Sequence, residues 1–358
     1  MKIISTQIQV LTPTTVSPRE ALYRTSLNGD FYDVHGLSRV DFARHDADIP
    51  RFLSGASLRH ILRTHATALA LAGPPLDLGA VYALSMGYLL SDVGKTKSPL
   101  TFRESFELER ALRAHNPLMS AFGNFHTTGA VSVGNGWVRD ALPLPGWSLQ
   151  RTFVRSDLDP TILNALPDDE SFIHASFLDV QSATSRKSGD SSLSDGGGLR
   201  NIGGLVEAFN PGVTLDWRIA ISGGGQQSDD MTAIILAAIR RWANVPDPNG
   251  LVSRSNESMR IGAHKRLDWG RIAITGTLLD DETGVTSTFS ASDGIFEAEA
   301  NGLVSKLLSL FDTELAAGYP RWDFTAGLRE DDQQIAAVLD SAATEKASRK
   351  ATKAASSK

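Results

Sequence analysis

The chain has 358 residues, 41% of them hydrophobic, and no cysteine. That allows a packed core and excludes disulfides and thiolate zinc sites. The net charge of −6 argues against nucleic-acid binding over the whole surface. Any such site has to be local, because salt confines a field to about 10 Å. No stretch approaches the roughly 20 apolar residues of a membrane span, and MKIISTQIQV is not a signal-peptide pattern. The expectation is a soluble, cytoplasmic protein with no membrane partner.

The first predicted element is a strand: Ile4, Thr6, Ile8 and Val10 alternate with Ser5, Gln7 and Gln9. A long polar stretch follows from Thr12 to Asp48, with Gly29 and Gly36 as turn residues. Leu58, Ile61, Leu62, His65 and Leu69 then fall on one face of a helix. Ser54-Gly55-Ala56-Ser57 opens this helix with Ser57 as its expected cap, and Gly73-Pro74-Pro75 ends it. A second helix is predicted from Thr101, which has capping-box spacing with Glu104.

From Gly123 to Gly204 the sequence is irregular, and Ser182 to Gly198 reads as a loop. A half-buried strand follows, in which Val213, Leu215, Trp217, Ile219 and Ile221 alternate with polar residues or alanine. A helix capped by Asp229 or Asp230 runs to Ala243 and stops before Pro246. A strand at Arg271–Leu279 and an amphipathic helix over Glu297–Ala317 complete the regular elements. The tail from Ser341 holds Lys346, Arg349, Lys350, Lys353 and Lys358 against Glu345. Its net charge of +4 leaves −10 for the body. The pattern is strand–helix early and strand–helix–strand late. That predicts an α+β, RRM-like (ferredoxin-like) core with large insertions.

Three segments have the chemistry to hold phosphate. Around the first helix, a Gly/Ser turn precedes Arg59 and Arg63, four apart and placed by periodicity on the face opposite the leucine stripe. The same pattern also fits an ordinary surface helix with two solvated arginines. Between Arg254 and Arg271 the local charge is +3, and Arg260, His264, Lys265, Arg266 and Trp269 suit a loop on a nucleic-acid backbone. Gly94-Lys95-Thr96 lacks the earlier glycine of a P-loop, since Leu89 stands there; a P-loop enzyme is the weakest reading, a lysine-bearing turn the plain one, and Lys95 and Lys97 touching phosphate lies between. His60 and His65 are five apart and do not form a metal pair. No metal or cofactor is expected. Asp30 and Asp33 are the acidic residues of the polar stretch ahead of the helix.

Several segments, in order, resemble a known family. Ile49-Pro50 and Leu53-Ser54-Gly55-Ala56-Ser57-Leu58-Arg59-His60-Ile61-Leu62-Arg63 resemble the helix signature of the RAMP superfamily. Phe122-Gly123 with Ala130–Val133 and Arg139-Asp140, Pro211–Leu215, and Ile261-Gly262 through Ile272 resemble its later motifs. Within it, the match is to the crRNA-binding backbone subunit of Class 1 CRISPR effectors, type IV above others. The resemblance implies a discontinuous palm at 1–73 and 201–320. It also implies a finger insertion at 74–150 and a thumb at 151–200; 341–358 is expected to be a disordered basic tail. It implies a non-enzymatic subunit whose partners are guide RNA, head-to-tail copies of itself, other effector subunits and a complementary DNA or RNA target. The residues it assigns to RNA are Arg24, Ser54, Gly55, Ser57, Arg59, Arg63, Lys95, Lys97, Arg155, Arg186, Lys187, His264, Lys265 and Arg266. The alternative is a type III-like subunit that cleaves target RNA with Asp30 or Asp33 and a divalent metal.

Overall fold

The computed structural model describes residues 1–12, 14, 23–27, 30–35, 38–39, 51–87, 102–124, 127–138, 150–151, 204–209, 211–245, 259–262 and 269–328. In chain order the strands and helices are β1 (Lys2–Val10), β2 (Tyr23–Leu27), β3 (Asp30–His35), β4 (Ser38–Arg39), β5 (Arg51–Leu53), α1 (Gly55–Ala70), α2 (Leu78–Met86), α3 (Phe102–His115), α4 (Pro117–Phe122), β6 (Val131–Val133), β7 (Gly136–Val138), β8 (Gln150–Arg151), β9 (Gly204–Ala208), β10 (Thr214–Ile221), α5 (Gly225–Trp242), β11 (Ile272–Asp280), β12 (Thr286–Ser292), β13 (Ile295–Ala298) and α6 (Leu303–Ala316). The protein is α+β.

The main sheet is ordered β13-β12-β11-β1-β10-β7-β5-β4, with β6 also on β10, and each of these pairings is antiparallel. β1 lies at its centre because its alternation sends Ile4, Ile8 and Val10, all fully buried, to one face. Helices α1 and α5 cover that face. From Met231 to Ile239 every residue of α5 is buried. A helix apolar on all sides needs cover on all sides, and α5 is packed by α1, α4, α6 and β10. Residues from α2, α3, α4, β6 and β7 join the same core, among them Leu84, Leu112, Leu118, Val131 and Val138. A second sheet, β2-β3-β9-β8, pairs β3 with β9 in parallel.

β6 and β7 run along β10 as one interrupted strand. Val133 faces Ile219 and Trp137 faces Asp216. Gly134, Asn135 and Gly136 therefore oppose only Trp217 and Arg218, which is a β-bulge.

Several expectations are corrected. The cap of α1 is Ser54, not Ser57. α2, apolar along most of its length, was not foreseen. Asp229 and Asp230 do not cap α5, which starts at Gly225. They lie in its second turn, where Asp229 pairs with Lys2 at 2.7 Å and Asp230 with Arg321 at 3.2 Å. Burial pushes the Asp230 carboxyl above its ordinary range despite Arg321. Glu297 and Ala298 are not helical but belong to β13, where Phe289 and Phe296 stack at 5.7 Å across the β12–β13 pair. Asp30 and Asp33 lie on strand β3, not in a loop, and Arg24 pairs with Asp33 in the β2–β3 register. Thr101, the 182–198 loop, the 151–200 thumb expectation apart from 151, and the 341–358 tail lie outside the described residues.

Candidate nucleic-acid interface

α1 begins where the chain meets the β6–β7 bulge. Ser54 is extended (φ −61°, ψ 128°) and makes no side-chain cap bond. The Gly55 N–H instead donates to Asn135 Oδ1 at 2.7 Å. A side-chain amide from the bulge thus satisfies one of the helix's orphan donors. The fit leaves no room for a side chain: a Cβ on Gly55 would lie 2.6 Å from the Val133 carbonyl oxygen and 2.8 Å from that of Gly134. Asn135→Ala is expected to cost about 1 kcal/mol, the scale of a lost helix cap, seen as a lower urea midpoint with an unchanged slope. An unchanged midpoint would remove Asn135 from this role.

Beyond this start, Ser57, His60 and Thr64 line one wall of a crevice of about 590 Å³, with Arg260, Ile261 and Gly262 opposite. The opposite wall belongs to a backbone pairing of residues 259–262 with 270–272. Ile261 N–H donates to the Gly270 carbonyl at 2.8 Å and Ile272 N–H to that of Met259 at 3.0 Å. Arg260 Nη1 donates to the Trp269 carbonyl at 3.1 Å, and Trp242 Nε1 donates to the Arg260 carbonyl at 3.0 Å. His65 stacks on Trp242 at 6.3 Å, which ties the two walls through the core. His264, Lys265 and Arg266 lie outside the described residues, in sequence between Gly262 and Trp269. The crevice therefore joins two segments that the sequence marked separately, 54–65 and 260–271.

The two arginines of α1 do not form an outward clamp. Arg63 is buried at 8% exposure. Its Nε donates to the Leu84 carbonyl at 2.5 Å, and its Nη2 donates to that of Ala83 at 3.1 Å and lies 3.4 Å from Met119 Sδ. Those carbonyls belong to the last turn of α2, where the helix dipole is negative; that of Ala83 also accepts the Gly87 N–H at 2.9 Å. Arg63 is thus a cap for α2. Burial, with Arg59 nearby, holds its guanidinium down to about 10, so it stays charged at neutral pH. Gly87, left-handed at φ 75°, ends α2 against this guanidinium. Arg59 is half-buried and donates through Nη2 to the Phe122 carbonyl at the end of α4; burial lowers its pKa as well.

Of the other expected residues, Ser54, Gly55 and Ser57 lie at the crevice end of α1. Arg24, Asp30 and Asp33 are described by backbone position alone. Lys95, Lys97, Arg155, Arg186 and Lys187 lie outside the described residues. Asn135 and Thr64 were missed. Gly134-Asn135-Gly136 inside an apolar run was the available signal for the bulge. Among the described residues no three metal-ligating side chains converge, and no helix is long and apolar enough to cross a membrane.

No family model matches the chain, and no curated protein matches it. Among solved structures, a chain of a "Type IV-B CRISPR Complex" is similar to it at 15% identity and a TM-score of 0.37, over 77% of this chain and 90% of that one. At that identity and score the likeness is too slight to carry a residue's role across.

Proposed function

We propose that this protein is a non-catalytic, RNA-binding backbone subunit of a CRISPR effector of the RAMP type, with copies stacked head to tail along a guide RNA. The observation that carries this is the crevice. Two segments some 200 residues apart, each suited by its own chemistry to phosphate, face one another across it. The first turn of α1, whose Gly55 N–H is taken by Asn135, still presents the positive end of a helix dipole. Ser57 and His60 supply polar side chains along one wall, and the basic residues His264, Lys265 and Arg266 follow the other in sequence. Such a site grips a sugar–phosphate backbone and leaves sequence reading to base pairing by the guide.

The core supports the same reading. With the intervening β2–β5, α2–α4, β8 and β9 set aside, β1, α1, β6/β7, β10, α5 and β11 run in the order βαββαβ, with the sheet order β11-β1-β10-β6/β7. That order supports the reading of an RRM-like palm.

The test is co-expression with a CRISPR array, followed by absorbance and sequencing of RNA that co-purifies. His60 is exposed, so His60→Glu tests the crevice without disturbing the core. A carboxylate there is expected to lower RNA retention roughly tenfold at moderate salt, because like charges meet at the contact. Unchanged retention would place the RNA elsewhere.

A further inference from the structure

The sheet face turned away from α1 and α5 carries polar side chains and a groove of about 980 Å³. Strand register sets one row across it: Trp137, Asp216, Gln7, Thr275, Ser290 and Glu297. The neighbouring row brings Arg218 and Thr288 to the same face, and Glu299 donates its N–H to the Thr288 carbonyl. Trp137 is 38% exposed and rests on Phe52 with ring centroids 4.6 Å apart. Among the described residues, the carboxylates of Asp216, which has an interaction of its own, Glu297 and Glu299 line the groove with the guanidinium of Arg218. An open indole face beside excess carboxylate attracts cations and repels phosphate.

The chain itself contains a segment of the matching charge. The described residues end at Leu328, and the segment from Lys346 to Lys358 holds five basic residues and no acid. Lys346 stands 18 positions beyond Leu328, an extended reach of about 60 Å. The radius of gyration of a domain this size is about 20 Å, so the segment can pass round the sheet edge. A tether of this kind also holds its end at about millimolar effective concentration, which favours a chain's own segment over that of a second copy.

We propose that the open-sheet groove seats the chain's own basic C-terminal segment, with a lysine or arginine over Trp137 and others on Glu297 and Glu299. The proposal is independent of the RNA reading and is tested on RNA-free full-length chain. The absence of cysteine makes disulfide trapping clean. The double variant Thr288→Cys/Ser348→Cys is expected to close an intramolecular disulfide at least tenfold faster than Ser309→Cys/Ser348→Cys, whose first thiol sits on an exposed position of α6. About 1 M salt, where the Debye length falls to about 3 Å, is expected to abolish that advantage. Adding Glu297→Lys and Glu299→Lys is expected to do the same. Equal rates for the two pairs, or indifference to salt and charge reversal, would overturn the proposal. A covalent dimer as the main product would assign the groove to the tail of a second copy. Protection of the Thr288→Cys thiol only on adding single-stranded RNA would assign it to nucleic acid. Either of those results also overturns the proposal.

Discussion

Gly55→Ala is expected to destabilise the protein by about 3 kcal/mol, the upper range for overpacking a close-packed site. The atoms in the way are the backbone carbonyls of Val133 and Gly134, 2.6 and 2.8 Å from the position of the new Cβ. Neither can rotate aside as a side-chain tip would. The Gly134 N–H is itself bonded to the Arg218 carbonyl at 2.9 Å, so the bulge is fixed from behind by β10. Relief requires α1 to lift from the sheet, which also breaks the Gly55–Asn135 bond. Loss of helix-start geometry and loss of stability are expected together. Urea unfolding gives the second, and amide exchange over residues 55–58 the first. A variant with a wild-type midpoint would mean that the bulge yields at little cost.

Arg63→Ala is expected to cost about 3 kcal/mol. Truncation leaves the Leu84 and Ala83 carbonyls at the end of α2 without their guanidinium partner and opens a void beside Met119. Arg63→Lys is expected to recover only part, since one ammonium cannot reproduce the planar fork that spans both carbonyls. The consequence for function is specific. At temperatures where the variant stays folded, its RNA retention should match that of the unaltered chain, because the side chain does not reach the crevice. A retention defect in a fully folded Arg63→Ala protein would show that the buried arginine also serves the RNA.

The contrast between these two residues shows how far local pattern reaches. The leucine stripe located α1 and its buried face correctly, because Leu58, Leu62 and Leu69 repeat at helical spacing. Arg63 lies about 100° round the helix from Leu62, and its exposure depends on what covers that side. The cover is α2, whose sequence LGAVYALSM is apolar along most of its length and so carries no usable period. The same limit misplaced the last helix. Ile295–Ala298 can alternate as a strand or fall on a helical face, and its pairing with Phe289–Ser292 settles it as strand. Four residues are too few to separate the two periods.

By itself the sequence determined the α+β class, the central strands β1, β10 and β11, the presence of α1 and α5, and the segregation of basic charge into a tail. Each follows from a period or a composition that is complete within a few residues. Only the tertiary structure decided that Asn135 caps α1, that Arg63 caps α2, and that Ser57, His60 and Thr64 face Arg260 and Gly262. These are contacts between segments tens to hundreds of residues apart. Their partners are selected by sheet register and helix packing, which no local spacing encodes.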